Sequence, residues 1–115
     1  MMMSEILRNI AKGEVLALKD TVSYTEGQVV SKTLVQNTGV GITLFAFAKG
    51  EGISTHESKG EAFVTALAGT GEIKIGGKKF ELKLGESIVM PANHPHAVYG
   101  LENFKMLLVV IFPEA

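Results

Sequence analysis

Between closely spaced glycines, apolar and polar side chains alternate along this chain with a period of two, the mark of half-buried strands. Gln28 to Gln36 sets Val30, Lys32 and Leu34 against Val29, Ser31, Thr33 and Val35. After the turn chemistry of Asn37-Thr38-Gly39, Val40 to Ala48 sets Ile42, Leu44 and Ala46 against Thr43, Phe45 and Phe47. Both faces of that run are largely apolar, as in a strand covered on both sides. Gly50 and Gly52 break it, and Ala62 to Ala68 is the next strand, ended by Gly69-Thr70-Gly71. Glu72 to Leu84 reads as a hairpin in which Ile73 and Ile75 alternate with Glu72 and Lys74, and Phe80, Leu82 and Leu84 with Lys79, Glu81 and Lys83. Gly76-Gly77 offers the two positive-φ positions of a two-residue turn. Glu86 to Met90, His96 to Leu101 and Phe104 to Phe112 complete eight or nine short strands. Near the start, Ile6, Leu7 and Ile10 stand at helical spacing behind Ser4, a candidate cap. Ser4 to Ala11 is therefore either a helix of one or two turns or a short extended segment, and Asp20 to Gly27 reads as a loop.

Many short strands with turns at close intervals predict an all-β sandwich or barrel. No strand leads into a convincing crossover helix, which argues against a parallel α/β sheet. At 115 residues the chain is expected to form one domain, with residues 1–26 as an N-terminal extension and 27–113 as the barrel. Eleven Lys and Arg stand against twelve Asp and Glu, without a basic stripe, so nucleic acid is not an expected partner. The longest apolar run, Met106 to Phe112, is too short to span a bilayer as a helix, so no membrane partner is expected either. The absence of cysteine excludes disulfides, thiolate metal sites and cysteine nucleophiles. Met1-Met2-Met3 leads directly to Ser4 and Glu5 without a charged and then apolar leader, and the expectation is a soluble, cytoplasmic protein.

Candidate chemistry is concentrated in the only three histidines. His56 closes Gly50-Glu51-Gly52-Ile53-Ser54-Thr55-His56, and His94 and His96 flank Pro95 just before another strand. Histidine is the commonest metal ligand and the usual acid–base group near neutral pH, so two such strand mouths suggest one shared site. No Ser-His-Asp order, P-loop or dinucleotide fingerprint accompanies them.

These residues give the chain a resemblance to the cupin superfamily of small conserved β-barrels, built as double-stranded β-helix jelly rolls. The family's first motif runs glycine, five residues, His-x-His, three or four residues, glutamate, six residues, glycine. Here Gly50, five residues and His56 open it and Gly69 closes it. The second runs glycine, five residues, Pro-x-Gly, two residues, histidine, three residues, asparagine. Here Gly85, five residues, Pro91-Ala92-Asn93, two residues and His96 follow it. The wording around His56-Glu57-Ser58 and Pro95-His96-Ala97 also looks like a bacterial subgroup of single-domain cupins without a settled activity. The departures fall on the ligands: Ser58 stands at the second histidine, Ala62 at the glutamate, Asn93 at the glycine of Pro-x-Gly and Gly100 at the final asparagine.

What the resemblance implies is a reduced divalent-metal site on His56 and His96, for zinc, nickel, iron, manganese or copper, with Ser58, Ala62 and Met90 lining the substrate pocket. Glu61 and His94 are additional candidate ligands. Strict alternation turns Glu61 away from the face of Ala62, but a strand starting late, or a bulge, would turn it inward. His94 shares parity with His96, with Pro95 between them against a regular strand. The plainer alternative is a pair of partly buried imidazoles bonded to water or backbone. Three functions follow: a binding barrel for a small molecule with a reduced or absent metal site; a metal-dependent dioxygenase, isomerase or decarboxylase acting on a small polar substrate; or a structural, partner-binding barrel. The resemblance also implies a homodimer, for which the apolar early strands and Met106 to Phe112 are suited.

Overall fold

The computed structural model describes residues 5–114. The candidate cap Ser4 lies outside them. Among the described residues nine strands follow one another: β1 (Val29–Gln36), β2 (Val40–Phe47), β3 (Gly52–His56), β4 (Glu61–Ala68), β5 (Thr70–Ile75), β6 (Lys78–Lys83), β7 (Ser87–Met90), β8 (His96–Gly100) and β9 (Phe104–Ile111). They form two antiparallel sheets, ordered β1-β2-β9-β4-β7 and β3-β8-β5-β6. The all-β sandwich expected from the alternation, with the jelly roll that the resemblance implies, is what the chain forms. β3 is a strand that the alternation does not reveal, because Gly52 opens it and the polar Ser54 and Thr55 follow, all three exposed.

The alternation of each strand sorts its side chains between two apolar layers. Phe47, Ala62, Val64, Ala66, Met90, Phe104 and Met106 point between the sheets and meet Ile73, Leu82 and Val98 from the other side. Leu44 and Ala46, on the opposite face of β2, pack with Leu34 and Val22 in a second layer outside the five-stranded sheet. That layer is covered by residues 5–26, which run as bends and turns around a single 3₁₀ turn, Leu18–Asp20. No helix forms over the described part of Ser4–Ala11; of its apolar residues Ile10 packs on the sheet, whereas Ile6 and Leu7 are exposed. The segment is held to edge strand β1 at its bulge between Thr33 and Val35. The Arg8 N–H donates to the Leu34 carbonyl at 2.7 Å, and the Asn9 side-chain amide donates to the Thr33 carbonyl at 2.9 Å.

The cover is partial. From Ile42, which packs at the margin of that layer, the row continues across the sheet on the same outer face through Val109, Phe63 and Val89, with Phe63 49% exposed. At Gly76-Gly77 the positive φ falls on Gly76 alone, the signature of a type II′ turn in place of the two positive positions expected.

The sandwich is shut at one end. Phe104 and Phe47 pair across β9 and β2 with ring centroids 5.7 Å apart, and the Phe104 ring lies 2.5 Å from where a Cβ on Gly71 would stand. At the corner between β4 and β5, Gly69 has φ +70°, and an added Cβ would overlap the Asn103 carbonyl oxygen. Gly85 has φ +84° with open space around it. Gly85→Ala is therefore expected to cost about 1–2 kcal/mol, the left-handed backbone penalty alone. Gly69→Ala adds a backbone collision and is expected to cost about 3 kcal/mol or more. Urea unfolding of the two variants measures the difference; equal losses would contradict the corner geometry.

Candidate functional site

The other end of the sandwich is parted. Two loops cross there between the sheets: residues 57–60 carry the chain from β3 to β4, and residues 91–95 carry it from β7 to β8. They are joined by the Asn93 N–H, which donates to the Ser58 carbonyl at 2.8 Å, with Asn93 at φ 61°. The Ser58 hydroxyl accepts from the Gly60 N–H at 3.1 Å and tightens the first loop. Because both loops turn at the same end, the last residue of β3 and the first of β8, His56 and His96, fall opposite each other in register. By the same logic Ala62 and Met90 are paired across β4 and β7 on the facing sheet.

A cavity of about 250 Å³ opens between them. Its polar lining residues are His56, His96 and Ser58; its walls include Phe45, Ile53, Ala62, Met90, Met106 and Val110. Ser58, Ala62 and Met90, the pocket residues that the resemblance implies, are among the lining residues. Glu61 does not join them: β4 begins at Glu61 without a bulge there, so regular alternation leaves its side chain exposed on the outer face. Nor does His94, which is exposed in the crossing loop with its Nδ1 at 2.8 Å from the Ala92 carbonyl. Among the described residues, no group of three or more His, Cys, Asp or Glu is placed to hold a metal ion. Phe45, Met106 and Val110 are lining residues that the motifs do not mark; the face parity of β2 and β9 would have found them.

The geometry of the histidine pair is specific. The Nε2 atoms are 3.0 Å apart and the rings meet edge to face. His96 is 4% exposed, whereas His56 opens to solvent at the rim. Each Nδ1 faces a backbone carbonyl: His56 that of Ser54 at 3.0 Å, and His96 that of His94 at 3.2 Å. A carbonyl only accepts, so each Nδ1 must carry the proton. In the neutral rings both Nε2 atoms then present lone pairs to each other, an arrangement satisfied only by a cation or a proton between them. Two nitrogens at about 2.0–2.1 Å from one tetrahedral zinc ion stand roughly 3.3–3.4 Å apart, so a few tenths of an ångström of opening from the observed 3.0 Å would seat a metal, while 3.0 Å itself is the length of a hydrogen bond through a shared proton. Backbone carbonyls on the remote nitrogens are also the usual partners that orient metal-binding imidazoles.

The cupin domain family matches residues 43–112, and the chain belongs to this family. Solved structures agree over nearly its full length. A conserved Streptococcus pyogenes protein of unknown function is 45% identical, covers 97% of this chain and 98% of its own, and superposes with a TM-score of 0.94. A cupin superfamily protein from Desulfitobacterium hafniense is 33% identical over 93% of this chain and 98% of its own, with a TM-score of 0.88. A cupin 2 conserved barrel domain protein from Leptotrichia buccalis is 47% identical over 81% of this chain and 45% of its own, with a TM-score of 0.79. A comparison with curated proteins gives no match.

Burial, and then the charge of His56, hold the pKa of His96 below the ordinary imidazole value. The Nδ1 bond to His94 and the charge of Glu57 oppose this without reversing it. In the unfolded chain His96 regains its ordinary value, about 6.5. Below that pH the unfolded state binds more protons than the folded one, so acid draws the equilibrium toward unfolding until the lowered folded pKa is passed. The metal-free wild type is therefore expected to lose stability relative to His96→Gln as pH falls from 7.5 through 6.5 to 5.5. Urea midpoints at the three values test this, and parallel profiles for the two proteins would refute it.

Proposed function

We propose that this cupin is a binding barrel for a small, largely apolar molecule whose polar end meets a metal ion carried on His56 and His96. The observation that carries the metal is the pair of Nε2 lone pairs directed at each other at 3.0 Å, with both Nδ1 atoms committed to carbonyl acceptors. The apolar walls support the ligand class: beyond the imidazoles, only the Ser58 hydroxyl lies in the lining to orient a polar group. The ion would act as a Lewis acid on a ligand oxygen. The protein's own part is to fix the two imidazoles, exclude water from the apolar depth and hold the ligand against the histidines.

Untagged protein purified without chelators is expected to hold one metal per chain, lost in His96→Ala, as read by elemental analysis. Metal content equal in the two proteins would sink the site. Ala62 lies on the inner face opposite the pair, so Ala62→Glu supplies the missing carboxylate. That variant is expected to gain about 10-fold or more in affinity for divalent ions, a change of the size that shell residues control.

We also propose that two copies pair through the uncovered part of the outer face carrying Phe63, Val89 and Val109. Strand β9, which contributes Val109, belongs to the apolar run expected to suit an interface. Phe63→Glu is expected to convert the dimer to a monomer in analytical ultracentrifugation without lowering metal content. An unchanged sedimentation coefficient would place the interface elsewhere.

A further inference from the structure

Among the described residues, no carboxylate lines the cavity beside the His56–His96 pair. Glu61 faces away, and Glu57, the carboxylate that acts on His96, is exposed and outside the cavity lining. Desolvating an ion costs more as its charge rises, and a buried charge without a partner is costly. A cavity without a carboxylate therefore disfavours a doubly charged ion more than a singly charged one. Hard ions such as manganese also want oxygen donors, and Ser58 is the one side-chain oxygen in the lining.

What the walls do offer is sulfur. Met90 and Met106 are both buried and both line the cavity. Their depths differ. Met90 pairs with Ala62 near the start of β4, and the five residues after it, 91–95, form the crossing loop that delivers His96. Met106 pairs with Ala66, four residues further along β4, or about 13 Å toward the shut end. Met90 therefore shares the open end with the histidines, and its three rotatable bonds and polarizable thioether let the sulfur adjust to an ion.

We propose that His56, His96 and the Met90 thioether form a three-donor site for cuprous copper. Copper(I) is singly charged and prefers soft thioether donors, and imidazole suits copper as well. The reading rests on the two-histidine metal site and names the ion that the cavity's charge and donors favour. It also gives Met90 a role that the metal-binding motifs do not assign.

The test is an anaerobic titration of metal-free, untagged protein with copper(I) against a chromophoric chelator, alongside zinc(II) and manganese(II). Copper K-edge absorption of the loaded protein is measured with it. The expected result is one copper per chain, bound more tightly than zinc, with a sulfur scatterer in the spectrum. Met90→Leu, close in volume and so expected to keep the fold, should lose that scatterer and about tenfold in copper affinity. Binding should be abolished in His96→Ala and retained in His94→Ala. Copper bound without sulfur, an unaffected Met90→Leu, or tighter binding of zinc would overturn the copper site while leaving the two-histidine site standing. Metal binding of every kind that is indifferent to His96→Ala would overturn both. The wild-type spectrum decides the sulfur question even if Met90→Leu fails to fold.

Discussion

The Phe104 ring occupies the space that a side chain on Gly71 would need, and it packs against Phe47 with no solvent contact. This contact fixes how the two sheets can meet. At that end they close on an aromatic plug with glycine beneath it. The strands then carry smaller or more flexible residues toward the other end: Ala66, Val64 and Ala62 along β4, and Met106, Leu108 and Val110 along β9. The sheets part there, and the cavity is the space that this taper leaves between them. A cavity so made opens on one side, with the crossing loops as its rim.

Much of this was legible in the chain itself. The two apolar faces of β2 anticipate the two layers it separates, Phe47 within the sandwich and Leu44 and Ala46 beneath the N-terminal segment. The hairpin at Gly76-Gly77 and the strands containing Ala62, Met90 and Met106 follow from alternation and glycine punctuation. Three features were less visible, each for a physical reason. β3 is an exposed rim strand with a glycine start, and little apolar alternation marks it. The spacing of Ile6, Leu7 and Ile10 suggests a helix, yet backbone and side-chain bonds to the carbonyls of the β1 bulge, made by Arg8 and Asn9, hold the segment in bends instead. The turn at Gly76 needs one positive φ where the pair of glycines allowed two.

The site divides in the same way. Motif spacing brings His56 and His96 to equivalent strand mouths, and alternation already turned Glu61 outward unless the strand began late. The protonation pattern lay beyond the sequence. It depends on where the Ser54 and His94 carbonyls point, which the local backbone of the rim decides. Those two carbonyls turn a pair of neighbouring imidazoles into a pair of facing acceptors. The electrostatic character of the cavity mouth is thus set by main-chain atoms as much as by the histidines.

The bonds from Arg8 and Asn9 to the carbonyls of Leu34 and Thr33 have a consequence for the life of the chain outside its barrel. β1 is a sheet edge, and an open edge is a template on which another extended chain can add. By occupying those acceptors at an irregular point in the strand, the N-terminal segment guards against runaway strand addition. The segment that covers an apolar layer also blunts this one edge of the sheet. At the β1 edge the capping is done by bends in the chain, not by a further strand.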